Sequence, residues 1–163
     1  MFRWVSVKKL FFVLLAAIIA LLVMFFVHGP YIEEGAEEAV KRALLERSMD
    51  QGEDTVPAEG HRFFQVTQTE DTLEVWGIFR TGAFRKTEGG VEAVRLSDAA
   101  PAKMTFERRE GEWMLSEYRE PDDADLSEGE RKKLFPFHLR AALLFKGLFE
   151  SDLERQMQAY APD

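Results

Sequence analysis

The sequence contains no cysteine, which excludes disulfide bonds, a thiol nucleophile, a lipidated cysteine and cysteine-ligated metal sites. Histidine is scarce too, and His28, His61 and His138 have no second histidine at ligand spacing, which disfavours a zinc site. There is neither a Gly-x-Ser-x-Gly elbow nor a glycine-rich phosphate loop. We therefore predict no enzyme, no catalytic residue, no metal ligand and no cofactor. His61, at the start of a predicted strand, is expected to be a surface residue.

Charge is absent from the 18 residues Leu10 to Val27, which also lack glycine and proline. As a helix this run would rise roughly 27 Å, close to the hydrocarbon thickness of about 30 Å. We therefore expect a single transmembrane helix over residues 10–28. A cleaved signal peptide is the alternative, disfavoured because the run is long and ends in Met24-Phe25-Phe26-Val27-His28, unlike the small residues of a cleavage site.

Basic residues precede this run and acidic residues follow it, so the positive-inside rule predicts a cytoplasmic tail of residues 1–9. Residues 29–163 would then form one extracytoplasmic domain of a single-pass protein in the bacterial cell membrane. That part holds 18 basic and 29 acidic residues, a net charge of −11. Such a surface repels nucleic acid and favours a protein partner with a basic face.

Apolar residues recurring every three or four positions predict a helix over residues 32–49, followed by a loop over residues 50–60. From residue 62 the period changes to two, which indicates strands. The glycine-containing pair Glu110-Gly111 predicts a tight hairpin with Phe106 opposite Leu115 and Arg108 opposite Trp113. The expected strands are 62–69, 72–79, 84–87 (separate, or the end of the second), 91–96, 103–109 and 112–119.

The C-terminal part is predicted to be helical. Ser127 and Glu130 form a capping box that starts a short helix ending at Pro136. Beyond it, Phe137, Ala141, Leu144 and Leu148 share one face of a longer helical stretch, and a last helix carries Leu153, Met157 and Tyr160. The predicted fold is therefore α+β, with a helix packed on an antiparallel sheet of about five strands, cystatin-like or similar, and C-terminal helices.

Two groups of side chains are candidate sites. Asp122, Asp123 and Asp125 are weak calcium candidates, because the loop lacks the EF-hand glycine and terminal glutamate; acids that favour a helix start are the preferred interpretation. Aromatic residues could line a ligand pocket, although alternating aromatics on strands are more often core. The aromatics considered are Phe63, Phe64, Phe106, Trp113 and Tyr118, and the predicted ligand or partner surface is Trp113, Tyr118 and Glu120.

The segment from Ala102 to Pro136 carries the string Glu117-Tyr118-Arg119-Glu120-Pro121-Asp122-Asp123, then Leu134-Phe135-Pro136. In this it resembles an uncharacterised bacterial extracytoplasmic domain that is also found attached to membrane sensor metallopeptidases of the beta-lactam-response type. The resemblance implies an envelope setting and a small α+β domain. It implies no peptidase activity, because the zinc-binding His-Glu-x-x-His is absent.

These observations favour a membrane-anchored binding or regulatory module of the bacterial cell envelope. Two alternatives come from other classes of protein. One is a surface-tethered hydrolase that uses carboxylates such as Glu120 and Asp122. The other is a structural subunit of a membrane complex, whose helix would pack through Ala16 and Ala20.

Overall fold

The computed structural model describes residues 9–17, 29–48, 54–88, 90–137, 139–140, 144 and 146–160. The chain divides into two compact units, Met1–Pro30 and Tyr31–Asp163. Several sequence predictions fall outside the described residues: most of the tail over residues 1–9, the start of the loop over residues 50–60, and the side chains of His28, His138, Ala20 and Ala141.

The predicted transmembrane helix over residues 10–28 is corrected by the structure. Within the described residues, no helix is both long enough and apolar enough to cross a membrane. The N-terminal helix has nine described residues, 9–17, which rise about 14 Å, roughly half of the hydrocarbon thickness. Residues 18–28 of the predicted span lie outside the described residues. The predicted single-pass location in the cell membrane, with its cytoplasmic tail and extracytoplasmic domain, is corrected by the same finding.

The second unit is α+β, with an antiparallel sheet of five strands. One helix precedes the sheet and the others follow it. In chain order the elements are α1 (Glu34–Ser48), β1 (Val56–Gln68), β2 (Thr72–Thr87), β3 (Gly90–Leu96), β4 (Ala100–Arg109), β5 (Glu112–Arg119), α2 (Glu128–Leu134), a 3₁₀ turn (Lys146–Leu148) and α3 (Glu150–Gln158).

Strand β2 organises the sheet. β1 pairs with nearly all of it, from Val56 opposite Phe84 to Gln68 opposite Leu73. On the other side, β2 pairs first with β4 along residues 72–79 and then with β3 along residues 82–87. β5 pairs with β4 and completes the order β1-β2-β4-β5, with β3 beside β2. The predicted third strand is therefore the end of β2.

The β4–β5 hairpin has the predicted register, with Phe106 opposite Leu115 and Arg108 opposite Trp113. At its turn, Glu110 and Gly111 both have positive φ, 54° and 88°. Type I′ turns require positive φ at both central positions, and glycine adopts it without steric cost. The turn residues thus fix the register of the hairpin.

The predicted loop over residues 50–60 is wrong from residue 56, because β1 already begins at Val56. Pro57 and Gly60 had indicated a turn. Pro57 is tolerated because β1 pairs only with β2 and is therefore an edge strand, where prolines occur. Gly60 allows a close approach, since a Cβ there would lie 2.6 Å from the carbonyl oxygen of Leu153 in α3.

A bulge in β1 changes which side chains face α1. The register shifts between Phe63 and Gln65, so Phe64 is the extra residue. Phe63 and Val66 both pack in the core that includes α1, whereas the ring of Phe64 contacts Phe149, with centroids 5.5 Å apart. Odd positions before the bulge and even positions after it therefore face α1.

The C-terminal segment covers the opposite face of the sheet, where the indole nitrogen of Trp76 donates to the carbonyl of Leu134 at 2.7 Å. The capping box at Ser127 and Glu130 is confirmed, and α2 ends before Pro136. The described members of the predicted apolar face beyond it are not buried: Phe137, Leu144 and Leu148 are 77, 83 and 71% exposed. Lys146–Leu148 at the end of this stretch forms a 3₁₀ turn, whose period of three residues differs from that of an α-helix.

We predict that Gly60→Ala loosens the packing of α3 on β1. The new Cβ meets backbone atoms of Leu153, so the helix must move, and the free energy of unfolding should fall by about 1 to 3 kcal/mol. Urea denaturation measures this change. Gly129→Ala in α2 is the matched control: nothing lies within 4 Å of its Cβ, and the change should stabilise by up to roughly 1 kcal/mol. An unchanged stability for Gly60→Ala would contradict the close approach.

Candidate functional site

The aromatic residues of the predicted partner surface are covered by arginines. Trp113 is buried, and the guanidinium of Arg108 lies 4.7 Å from its ring centroid. Tyr118 is half-buried, and Arg47 lies 3.9 Å from its ring centroid. Burial raises the pKa of the Tyr118 phenol, and the charge of Glu120 adds to this effect. These two rings pack in or against the core beneath α1.

The predicted calcium loop is a hydrogen-bonded turn. The carboxylate of Asp125 accepts a hydrogen bond from Arg119 at 2.7 Å, and that of Asp123 accepts from the backbone N–H of Glu120 at 3.0 Å. The guanidinium of Arg119 lowers the pKa of Asp125. Among the described residues, no group of three or more His, Asp and Glu side chains is placed to hold a metal ion.

A cleft bounded by α1, β1 and the end of α3 brings together side chains that the sequence did not connect. Its volume is about 410 Å³. The floor comes from β1, one wall from α1 and the other from α3 and the turn that follows. The lining residues are Glu37, Lys41, Glu59, His61, Gln156, Ala159 and Tyr160, which we call the α1–β1–α3 cleft.

The floor of this cleft is a buried carboxylate. Glu59 is only 2% exposed. One of its oxygens accepts a hydrogen bond from Nδ1 of His61 at 2.8 Å, and the other accepts from the phenol of Tyr160 at 2.7 Å. Both oxygens are thus paired, as a buried charge requires. Because His61 and Tyr160 belong to β1 and the end of α3, the carboxylate ties these elements together.

The imidazole of His61 has carboxylates on two sides. Opposite Glu59, its Nε2 lies 3.7 Å from Oε1 of Glu37, too far for a hydrogen bond. The same oxygen of Glu37 is 2.9 Å from the ammonium of Lys41, which also binds Glu38 at 3.0 Å. The ring itself stacks on Phe63 with centroids 4.5 Å apart.

Hydrogen bonds fix the position of His61 and shift the pKa values of its neighbours Glu59, Tyr160 and Lys41. The backbone N–H of His61 donates to the side chain of Gln156 at 3.0 Å. Burial alone would raise the pKa of Glu59, but the hydrogen bonds and charge of its partners outweigh burial and hold that pKa below its usual value. Burial and the bond to Glu59 raise the pKa of Tyr160. The hydrogen bond to Glu37 raises the pKa of Lys41.

Sequence reasoning missed this cleft. Glu59 fell in the predicted loop, and His61 was expected at the surface, whereas its side chain is 11% exposed. The bonds that define the cleft join residues 95 and 101 positions apart, Gln156 with His61 and Tyr160 with Glu59. The only sequence signal was the pattern Glu-x-His at positions 59 and 61, which places both side chains on one side of a strand.

Comparisons with protein-family models, with curated proteins and with solved structures found no match for this chain.

We predict that Glu59 stabilises the fold at neutral pH and that this contribution is lost in acid. A carboxylate whose pKa is lowered by folding stabilises above its ordinary pKa of 4.5, and the stabilisation disappears as the pH falls through the lower folded value. In Glu59→Gln an amide NH₂ group replaces one carboxylate oxygen and faces a hydrogen-bond donor. The free energy of unfolding should therefore fall by about 1 to 3 kcal/mol at pH 7. Urea denaturation from pH 7 to pH 3 should show this deficit shrinking.

Glu107→Gln is the control for this experiment. Glu107 is half-exposed and ion-paired with Arg109 at 2.9 Å, so its removal should leave most of the acid dependence in place. A constant gap between Glu59→Gln and the wild type down to pH 3 would contradict the assignment.

Proposed function

We propose that the Tyr31–Asp163 unit is a binding module whose α1–β1–α3 cleft receives a basic group of a protein partner. The observation that carries this proposal is the pair of acceptors formed by His61 Nε2 and Glu37 Oε1, 3.7 Å apart. Since Nδ1 donates to Glu59, the neutral imidazole has no hydrogen on Nε2 and accepts there. A lysine ammonium or an arginine guanidinium carries several N–H donors and can satisfy both acceptors.

The charge of the unit supports the same class of partner. Its 18 basic and 29 acidic residues give a net charge of −11, which attracts a basic surface and raises the rate of encounter. Inside the cleft, the buried carboxylate of Glu59 adds negative potential in surroundings that water screens poorly. Long-range attraction and a local acceptor pair thus favour the same ligand chemistry.

Lys41 already occupies part of the position that a ligand cation would take. Its ammonium contacts Glu37, but it also contacts Glu38, so it can keep one carboxylate partner when a ligand approaches Glu37. The two oxygens of Glu37 also allow both cations to be held at once. Lys41 is therefore a competitor that tunes affinity without closing the cleft.

The binding role agrees with the binding or regulatory module that the sequence as a whole favoured, and the resemblance remains part of the proposal. The predicted surface at Trp113, Tyr118 and Glu120 is a weaker candidate, because the two rings are covered by arginines. The α1–β1–α3 cleft replaces it as the proposed contact site.

Hydrolysis is the second candidate function, at His61 instead of Glu120 and Asp122. The specific observation is that Glu59 orients the imidazole through Nδ1, while Nε2 points into a cleft from which it could accept a proton from water. Hydrolysis of an activated ester such as p-nitrophenyl acetate tests it. A rate above that of free imidazole, lost in His61→Gln, would favour the hydrolase; a rate equal to that of free imidazole would remove it.

We predict that the full-length protein binds an acetylated and amidated peptide of alternating lysine and glycine. Affinity, measured by isothermal titration calorimetry, should fall as sodium chloride rises. Glu37→Gln removes the negative charge of one member of the pair and should weaken binding about fivefold, the size of a contact worth roughly 1 kcal/mol.

Glu107→Gln is the matched control, because it removes the same charge from another half-exposed, ion-paired glutamate. It should change affinity less than about twofold. Equal weakening by both variants would show that net charge alone attracts the peptide, and would contradict a specific role for the cleft. An alternating glutamate and glycine peptide should not bind.

A further inference from the structure

We infer that binding at the α1–β1–α3 cleft is coupled to the release of one proton from His61, so that the cleft binds its partner more weakly as the pH falls. This inference rests on the proposed function. It concerns the regulation of the same cleft and follows from the position of the imidazole between two carboxylates.

The two nitrogens of His61 have different surroundings. Nδ1 lies 2.8 Å from Glu59, and this hydrogen bond is kept in the neutral ring and in the imidazolium. Nε2 faces Glu37 across 3.7 Å. When Nε2 carries a proton, it is a donor directed at Glu37, and the acceptor pair no longer exists. Protonation therefore fills, with a hydrogen, the position that a basic ligand group would occupy.

The exchange balances in charge. The imidazolium gives up its Nε2 proton to solvent, and the incoming ammonium or guanidinium donates one of its N–H groups to the freed lone pair. One positive charge replaces another between Glu37 and Glu59, so the carboxylates lose no partner. Ligand and proton are thus competitors for one nitrogen, and each weakens the binding of the other by the same factor.

The neighbouring titratable groups do not supply this proton. On α1 they are Glu37, Glu38 and Lys41; on β1, Glu59; and after α3, Tyr160. β2 places Phe79 opposite His61 and Thr81 opposite Glu59, neither of which titrates in this range. Hydrogen bonds raise the pKa of Lys41 and lower that of Glu59, while burial and the bond to Glu59 raise that of Tyr160, so all three pKa values move away from neutrality. Among these side-chain types, only histidine normally changes charge between about pH 5 and 8.

The test is calorimetric titration of the full-length protein with the alternating lysine and glycine peptide. Buffers with different ionisation enthalpies give the number of protons released at each pH. We expect release to rise from zero towards one proton as the pH is lowered across the range of about 5 to 8 in which histidines normally change charge. The affinity should fall by up to about tenfold for each pH unit where release is complete.

Two histidine variants assign the proton. His61→Gln removes the titrating ring and should abolish proton release, with weaker binding retained through Glu37. His138→Gln removes another histidine and should leave the release unchanged. Far-ultraviolet circular dichroism checks that both variants fold, and the wild-type pH series stands even if His61→Gln does not.

Three outcomes are distinguishable. Peptide binding without proton release at any pH would overturn the inference and leave the proposed function standing. Proton release that persists in folded His61→Gln would assign the proton to another group and also overturn it. No binding of the lysine peptide between pH 5.5 and pH 8 would overturn both.

Discussion

The pairing of β2 with three other strands is the constraint on which the structure of the Tyr31–Asp163 unit depends. Because β4 occupies its first half and β3 its second half, β2 must serve two different neighbours along one edge. Gly82 lies where the pairing with β3 begins, and a Cβ added there would lie 2.6 Å from the carbonyl oxygen of Arg95. β1 follows β2 past this point, which is where Glu59 lies opposite Thr81. The buried carboxylate therefore sits beside the change of partner strand, between α1 and α3.

Local signals in the sequence were sufficient for some elements and not for others. The hairpin at Glu110-Gly111 could be predicted to the residue, because its turn chemistry fixes its register. The start of β1 could not, since Pro57 and Gly60 have the composition of a turn, and what keeps them in a strand is an edge position and a distant helix. The bulge at Phe64 adds a second difficulty. Strict alternation of faces counted back from Val66 would place His61 on the side away from α1, whereas it lies on the side of α1.

The candidate site was harder to predict than the fold, because its geometry comes from tertiary contacts. A lone histidine in a sequence has no visible partner, and the residues that orient His61 come from α1, from β1 itself and from α3. Conversely, the aromatic residues Trp113 and Tyr118 were predicted to form part of a ligand or partner surface, yet arginines cover both rings. A stack between a guanidinium and a ring buries the apolar face of the ring while keeping the charge partly hydrated.

The two hydrogen bonds of Glu59 explain how the cleft can hold β1 against α3 and still respond to pH. Burying a single carboxylate costs several kcal/mol unless hydrogen bonds and opposite charge replace its hydration. Tyr160 supplies one bond that does not depend on pH near neutrality, and His61 supplies another that survives in both of its charge states. Both oxygens of Glu59 therefore keep their hydrogen bonds whether or not Nε2 is protonated. His61 can thus exchange its Nε2 proton for a ligand at Glu37 while β1 stays packed against α3.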